Sequence, residues 1–453
     1  MIEREIRPQR AAYRALVLFG FAIAAAGCAY ALVNRGKVND AKADQIEQGI
    51  QVLRQLKFKA PVPLVVETKD EAETQMEREL ERDNTDAEMA AEGTAGALLG
   101  LFPAGIDLKA EELKLLRSQV AGFYDPHAHE MVLVEGSDDI GFLNNAAEFV
   151  VQRDLVGEML LAHELTHALQ DQNFNLGDRL EALKDDDDRA LALKSVAEGD
   201  ATIAGMAYVM GTMDDATLDT ITAQLDQLPK IFAQETPGTP VGLSAPLLFQ
   251  YSEGVKFVAE AYRRGGWTAV DALYAKPPES SHQIIHPEAY FDNPVAPLTV
   301  SISGYQPTMP AWKEVDDFTL GELLVRVILE RDLKKNSTED AEQITLAARW
   351  TGDRFVVLQD KDAISVIGII AFTDDGAAGK FAVAYSSLLD RMLGSTAHEI
   401  DYRENAVLIV IGEAAHYMGV LGPALWRAST IGGHPIANAA MAGMPGDTSP
   451  NHP

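Results

Sequence analysis

The stretch His163-Glu164-Leu165-Thr166-His167 constrains this chain more than any other. Residues four apart on a helix sit one turn apart on the same face. His163 and His167 therefore share a face, and Glu164, three residues before His167, lies near it. Apolar residues recur around them at helical spacing: Val156 and Leu160 continue the histidine stripe, and Leu155, Met159 and Leu169 flank it. The pattern predicts a helix from about Asp154 to Gln172 whose histidine face is buried. Buried imidazoles and a buried carboxylate need partners, since each unpaired polar group costs roughly 1–3 kcal/mol. One metal ion meets the need of all three. It takes two neutral nitrogens as ligands and keeps an open position for water beside the carboxylate, which is the arrangement of a zinc hydrolase.

Such a site requires a third protein ligand. The downstream candidate is Glu198, in Ser195-Val196-Ala197-Glu198-Gly199-Asp200-Ala201. It falls in a second predicted helix, Asp188 to Met210, on a stripe with Leu191, Ser195, Thr202 and Gly205 that is small around Glu198 and lets another helix approach. A connection from Leu176 to Asp187 allows the two helices to run antiparallel. Asp171, one turn beyond His167, is the rival ligand; a donor from a second element closes a site more readily, which favours Glu198. The run Asp185 to Asp188 reads as a solvated helix cap, where carboxylates meet free amides and the positive end of the dipole, in preference to a calcium site.

H-E-L-T-H followed by a helix carrying Glu198-Gly199-Asp200-Ala201 resembles the gluzincin group of zinc metallopeptidases, most sharply from about Gln119 to Met210 and onward to about Tyr290. The resemblance implies an α+β, zincin-like metallopeptidase domain with a small mixed sheet. It also implies Zn2+ held by His163, His167 and Glu198, Glu164 as general base, and a peptide or protein substrate. One departure stands out. The best-known members place an aspartate four residues after the third ligand to orient a ligand histidine. Thr202 occupies that position here, which leaves Asp200 or Asp171 for the role. Zincins also bind the substrate backbone along an edge strand that precedes the zinc helix. A hairpin predicted from Val120 to Tyr124 and Met131 to Glu135 stands in that place, with His127 and His129 as exposed turn residues. Further on, Pro277-Pro278 and Pro287 bound a loop containing His282, His286 and Tyr290. By analogy with gluzincins that stabilise the oxyanion with a downstream histidine or tyrosine, His286 is the first choice, its backbone restrained by Pro287, and Tyr290 the second.

The formal net charge of −30 argues against a nucleic-acid partner. At the N-terminus Arg4, Arg7, Arg10 and Arg14 precede an apolar run, the order of an export signal. Ala24-Ala25-Ala26-Gly27-Cys28 resembles a bacterial lipoprotein processing box, and Cys28 is the chain's only cysteine. Ala15 to Val33 also makes nineteen residues of uncleaved apolar helix. Either way the bulk of the chain is expected outside the cytoplasm and at a membrane. Residues 1–33 then form the signal or anchor and 34–312 the metallopeptidase domain. A small α+β domain, 313–416, follows, with a helix from Phe318 to Leu333 and helices on one face of an antiparallel sheet. The Gly-, Ala- and Pro-rich tail, 417–453, is expected to be poorly ordered.

Overall fold

The computed structural model describes residues 33–34, 37–83, 85–117, 122–125, 128–135, 156–184, 186–211, 213–331 and 338–436. The expected N-terminal anchor up to residue 32, with Cys28, lies outside the described residues, as do His127, Asp185 and the last part of the tail, 437–453.

Helix α1 (Asp40–Arg54) starts where the Asn39 side chain accepts a hydrogen bond from the Lys42 amide. Strand β1 (Leu64–Thr68) follows. The charged stretch after it forms two helices, Lys69–Asp83 and Asp86–Leu99, because Thr85 and Glu88 build a capping box that starts the second. Strands β2 (Gly122–Asp125) and β3 (Glu130–Glu135) pair antiparallel, while β1 runs parallel to β3. The order β1-β3-β2 leaves β2 at the edge.

Three helices then form the centre: α2 (Val156–Phe174), α3 (Asp187–Met210) and α4 (Val241–Ala275), the last interrupted by non-helical backbone at Gly265 and Gly266. Asp186 caps α3 by accepting the Arg189 amide. Helix α3 is buried along most of its length, the charged Lys194, Glu198 and Asp200 included, as a helix is when packed all round. Glycines set its distance from its neighbours. A Cβ on Gly199 would lie 2.4 Å from the Gly254 carbonyl oxygen of α4, and one on Gly205 would lie 2.7 Å from the Met159 carbonyl oxygen of α2.

Past α4 come the short helices α5 (Ser281–Ile285) and Glu288–Phe291, where the sequence suggested an open loop. Strand β4 (Lys313–Phe318) is followed by helix α6 (Gly321–Glu330). The single helix expected from Phe318 is thus corrected. Gly321 takes a left-handed φ of 68°, and the amides of Leu320 and Gly321 are held by Asp353, so the helix begins there and not earlier. Strands β5 (Trp350–Asp360) and β6 (Ala363–Phe372), helix α7 (Asp375–Leu393), strands β7 (His398–Arg403) and β8 (Ala406–Ile411) and helix α8 (Met418–Ala428) complete the order. The larger sheet runs β7-β8-β6-β5-β4, antiparallel at every step.

Two expectations for this part are overturned. Helix α8 stands where a disordered tail was expected, and the sheet is covered on both faces. Its strands alternate between two cores: Phe355 and Val357 face the main core, whereas Val356 and Leu358 pack with Leu421, Leu425 and Trp426 of α8. The apolar strand Ala406–Ile411 is buried at every position, as a strand covered on both faces requires. The small residues of α8 hid the stripe Leu421, Leu425 and Trp426 that buries it. The main core runs from Ala43 to Ile411 and so joins the helical centre to the sheet. Among the described residues no helix is long and apolar enough to cross a membrane.

Candidate metal centre

Helix α2 presents His163 and His167 on one face, and α3 brings Glu198 against them. Their Nε2 atoms are 2.9 Å apart, and Glu198 Oε2 lies 3.3 Å from that of His163 and 3.6 Å from that of His167. All three side chains are buried. Ligands at the corners of a zinc tetrahedron, with bonds near 2.0–2.1 Å, stand about 3.3 Å from one another. The donor set and its spacing therefore fit a zinc-sized cation. Burial holds the His163 imidazole down to about 4, so it is the neutral ligand such an ion needs. Burial works against charge on Glu198 as well, but His167 and His163 outweigh it and hold the carboxyl at about 2.

Glu164 lies next to the triad and is also buried. Neither of its carboxylate oxygens has a hydrogen bond of ordinary geometry, although the Tyr124 backbone amide of β2 approaches closely enough to favour the charged form. Burial, and then the neighbouring Glu198, push its carboxyl well above the usual range. A nearby cation acts in the opposite direction and brings such a group back toward the range of a general base.

The orientation of His167 is set from behind. Its Nδ1 donates to Gln170 Oε1 at 2.9 Å, which leaves the Nε2 lone pair for a metal. The Gln170 amide group donates in turn to the Ala197 carbonyl at 2.9 Å and to Asp200 at 3.1 Å. Asp200 is anchored by Arg54, whose Nε is 2.9 Å away, and by the Tyr274 hydroxyl at 2.9 Å. Arg54 also pairs with Asp271 at 2.7 Å and stacks on Trp267. Between the two aspartates named from sequence, Asp200 supports the histidine, and it does so through Gln170. Asp171 points elsewhere, accepting the Tyr124 hydroxyl at 3.1 Å and the Gly177 amide at 3.0 Å, with His129 Nδ1 3.3 Å away.

The structure does not bring His286 and Tyr290 to the triad. His286 Nε2 faces Glu322 at 3.0 Å, and the Tyr290 hydroxyl donates to the Lys276 carbonyl. Their segment is pinned to the start of α3, where the Ser281 amide bonds Asp188. That point is roughly 15 Å along the helix from Glu198. The phenol that does meet the triad is Tyr251, on α4. It is buried and hydrogen-bonds Glu198; burial, Glu198 and Glu164 together push its hydroxyl well above the usual range. No spacing rule in the sequence singles out Tyr251. Gln170, by contrast, sits one turn from His167 on the same helix and was open to inspection.

No protein-family model matches the sequence, and no curated protein matches it. A solved structure from Chloroflexus aurantiacus, described as a candidate hydrolase with a novel fold, aligns with a TM-score of 0.38 at 15% identity, over 61% of this chain and 96% of its own.

Proposed function

We propose that this chain is a zinc metallopeptidase, zincin-like in its helical centre and edge strand, held at a membrane outside the cytoplasm by its N-terminus. The observation that carries the reading is the set His163, His167 and Glu198, spaced for one cation, with Glu164 beside it and otherwise without a good partner. Zinc held by His163, His167 and Glu198 would supply a Lewis acid for the scissile carbonyl and for the attacking water. Glu164 takes the proton from that water and hands it to the leaving amine. Edge strand β2 lies against α2 next to Glu164 and offers its backbone to an extended substrate by strand addition. The Tyr251 hydroxyl, between Glu198 and Glu164, takes the place assigned from sequence to His286 and Tyr290: it donates to the developing oxyanion.

The test pairs zinc content with cleavage of an unfolded protein, for the wild type and for Glu164→Gln. Zinc retained in both, with cleavage in the wild type alone, supports the reading. Zinc in the wild type without cleavage of any unfolded protein makes the triad a structural or binding site. Membrane attachment is tested by fractionation and by Cys28→Ser, which is expected to leave the longer precursor if Cys28 carries lipid. Recovery of a shortened, lipid-free chain wholly in the soluble fraction refutes anchoring.

A further inference from the structure

A second group of the same composition lies near the start of α3, away from Glu198 in the middle of that helix. His282 and His286 are four residues apart, and their ring centroids are 4.6 Å from one another, the same separation as in the His163–His167 pair. Glu322, in the first turn of α6, comes between them. One carboxylate oxygen lies 2.5 Å from His282 Nδ1 and the other 3.0 Å from His286 Nε2. As in the first triad, two imidazoles from one short stretch converge on a buried carboxylate from another helix. The three donor atoms all lie within 4.8 Å of one another.

The surroundings hold these ligands in place. Asp188 of α3 accepts the Ser281 amide with both oxygens at 3.1 Å, fixing the start of the segment that carries both histidines. The same carboxylate lies against Gly321, where a Cβ would come within 1.9 Å of it; only glycine permits that approach, one residue before Glu322. Asp353 holds the amides of Leu320 and Gly321 at 2.8 and 3.0 Å, and the Leu323 amide donates to Ser281 Oγ at 3.2 Å. The two ligand-bearing segments are thus braced against each other independently of Glu322. In one respect this group departs from the first. Glu322 is 2% exposed, but the side chains of His282 and His286 are 19% and 28% exposed. Solvent therefore reaches the rings, which gives a metal both an entry path and water to complete its coordination.

We propose that His282, His286 and Glu322 form a second divalent-cation site, suited to zinc by its donors, that fastens the segment after α4 to α6. The site is separate from the proposed hydrolytic centre and does not depend on it. The test uses the full chain, stripped with a chelator, dialysed against buffered zinc chloride and assayed for bound zinc and for Tm. The expected counts are two zinc ions per chain for the wild type, one for His163→Ala, one for Glu322→Gln and none for the combined variant. Added zinc is expected to raise the Tm of His163→Ala but not that of the combined variant. His286→Ala, which trims a partly exposed ring, serves as the second probe should Glu322→Gln misfold, and it too is expected to lose one ion. The proposal is overturned if the wild type binds a single zinc that His163→Ala abolishes. It is equally overturned if Glu322→Gln and His286→Ala, both folded, keep the full wild-type count; Glu322 is then only a carboxylate clamped by two histidines. A wild type that binds two zinc ions, one of them lost in His163→Ala, but cleaves nothing would sink the peptidase reading and leave this one standing.

Discussion

The two His-x3-His/Glu groups share their ligand types and ring spacing but differ in what stands around them. The first is sealed in the core, with a carboxylate, Glu164, beside it that has no good partner and a phenol, Tyr251, on its third ligand. The second opens to solvent: the carboxylate beside it, Glu288, 3.9 Å from His286 Nδ1, is mostly exposed, and both oxygens of Glu322 are taken by its own histidines. Three ligands suffice to hold a cation. Hydrolysis needs in addition a base placed at the metal and kept out of bulk water. This contrast is why we propose catalysis at the first group and attachment at the second.

The sharpest way to break this contrast is Glu164→Gln. Glutamine keeps the size but cannot take a proton, so hydrolysis is expected to fall by roughly 10³-fold or more while the zinc count stays at the wild-type value. Retained turnover, measured on an unfolded protein, would remove the base from the mechanism. Next in size is Tyr251→Phe, expected to lower kcat roughly 10²–10³-fold, the usual loss for one oxyanion donor, with zinc retained. A Tyr251→Phe chain that turns over normally would confine that phenol to packing.

Smaller effects test how each group is supported. Gln170→Ala removes the acceptor from His167 Nδ1 and is expected to weaken zinc affinity at the first site about 10–100-fold, read by competition with a chromogenic chelator. Unchanged affinity would show that packing alone orients the ring. The smallest expected effect is that of His286→Ala on cleavage. Turnover in excess zinc is expected to stay within about twofold of the wild type, since distant, independent sites act separately. A loss of 10²-fold would return His286 to the reaction and erase the division between the groups.

How far the sequence discloses this arrangement depends on where each partner comes from. His163, Glu164 and His167 are legible because one helical turn places them, and Glu198 because the small residues around it mark a close helix crossing. Gln170 lies on the same helix, yet its role appears only once Asp200 and Ala197 are seen facing it. Arg54, Tyr251 and Tyr274 come from helices far along the chain, and no spacing rule links them to the motif. The pair His282 and His286 is conspicuous between its prolines, but its meaning depends on Glu322, across the β4 strand that the sequence did not disclose. Helix α8 was missed for a related reason: among glycines and alanines, three large side chains are enough to bury it.

The glycine crossings of α3 carry one more consequence, for which ion the first group accepts. At Gly199 and Gly205 the backbone of α3 comes close to the backbone of α4 and α2, with Val258 and His163 the side chains nearest each crossing. The helices that carry the histidines and Glu198 are therefore held at main-chain distance. A cage so held, built from two imidazoles and one carboxylate, discriminates by radius and by donor chemistry together. Calcium asks for six to eight oxygens at about 2.3–2.6 Å, and magnesium for an octahedron of oxygens and water. The cage supplies neither, so on the proposed reading it disfavours both abundant ions, and its preference for a small nitrogen-loving metal rests on two glycines, Gly199 and Gly205, that are not among its ligands.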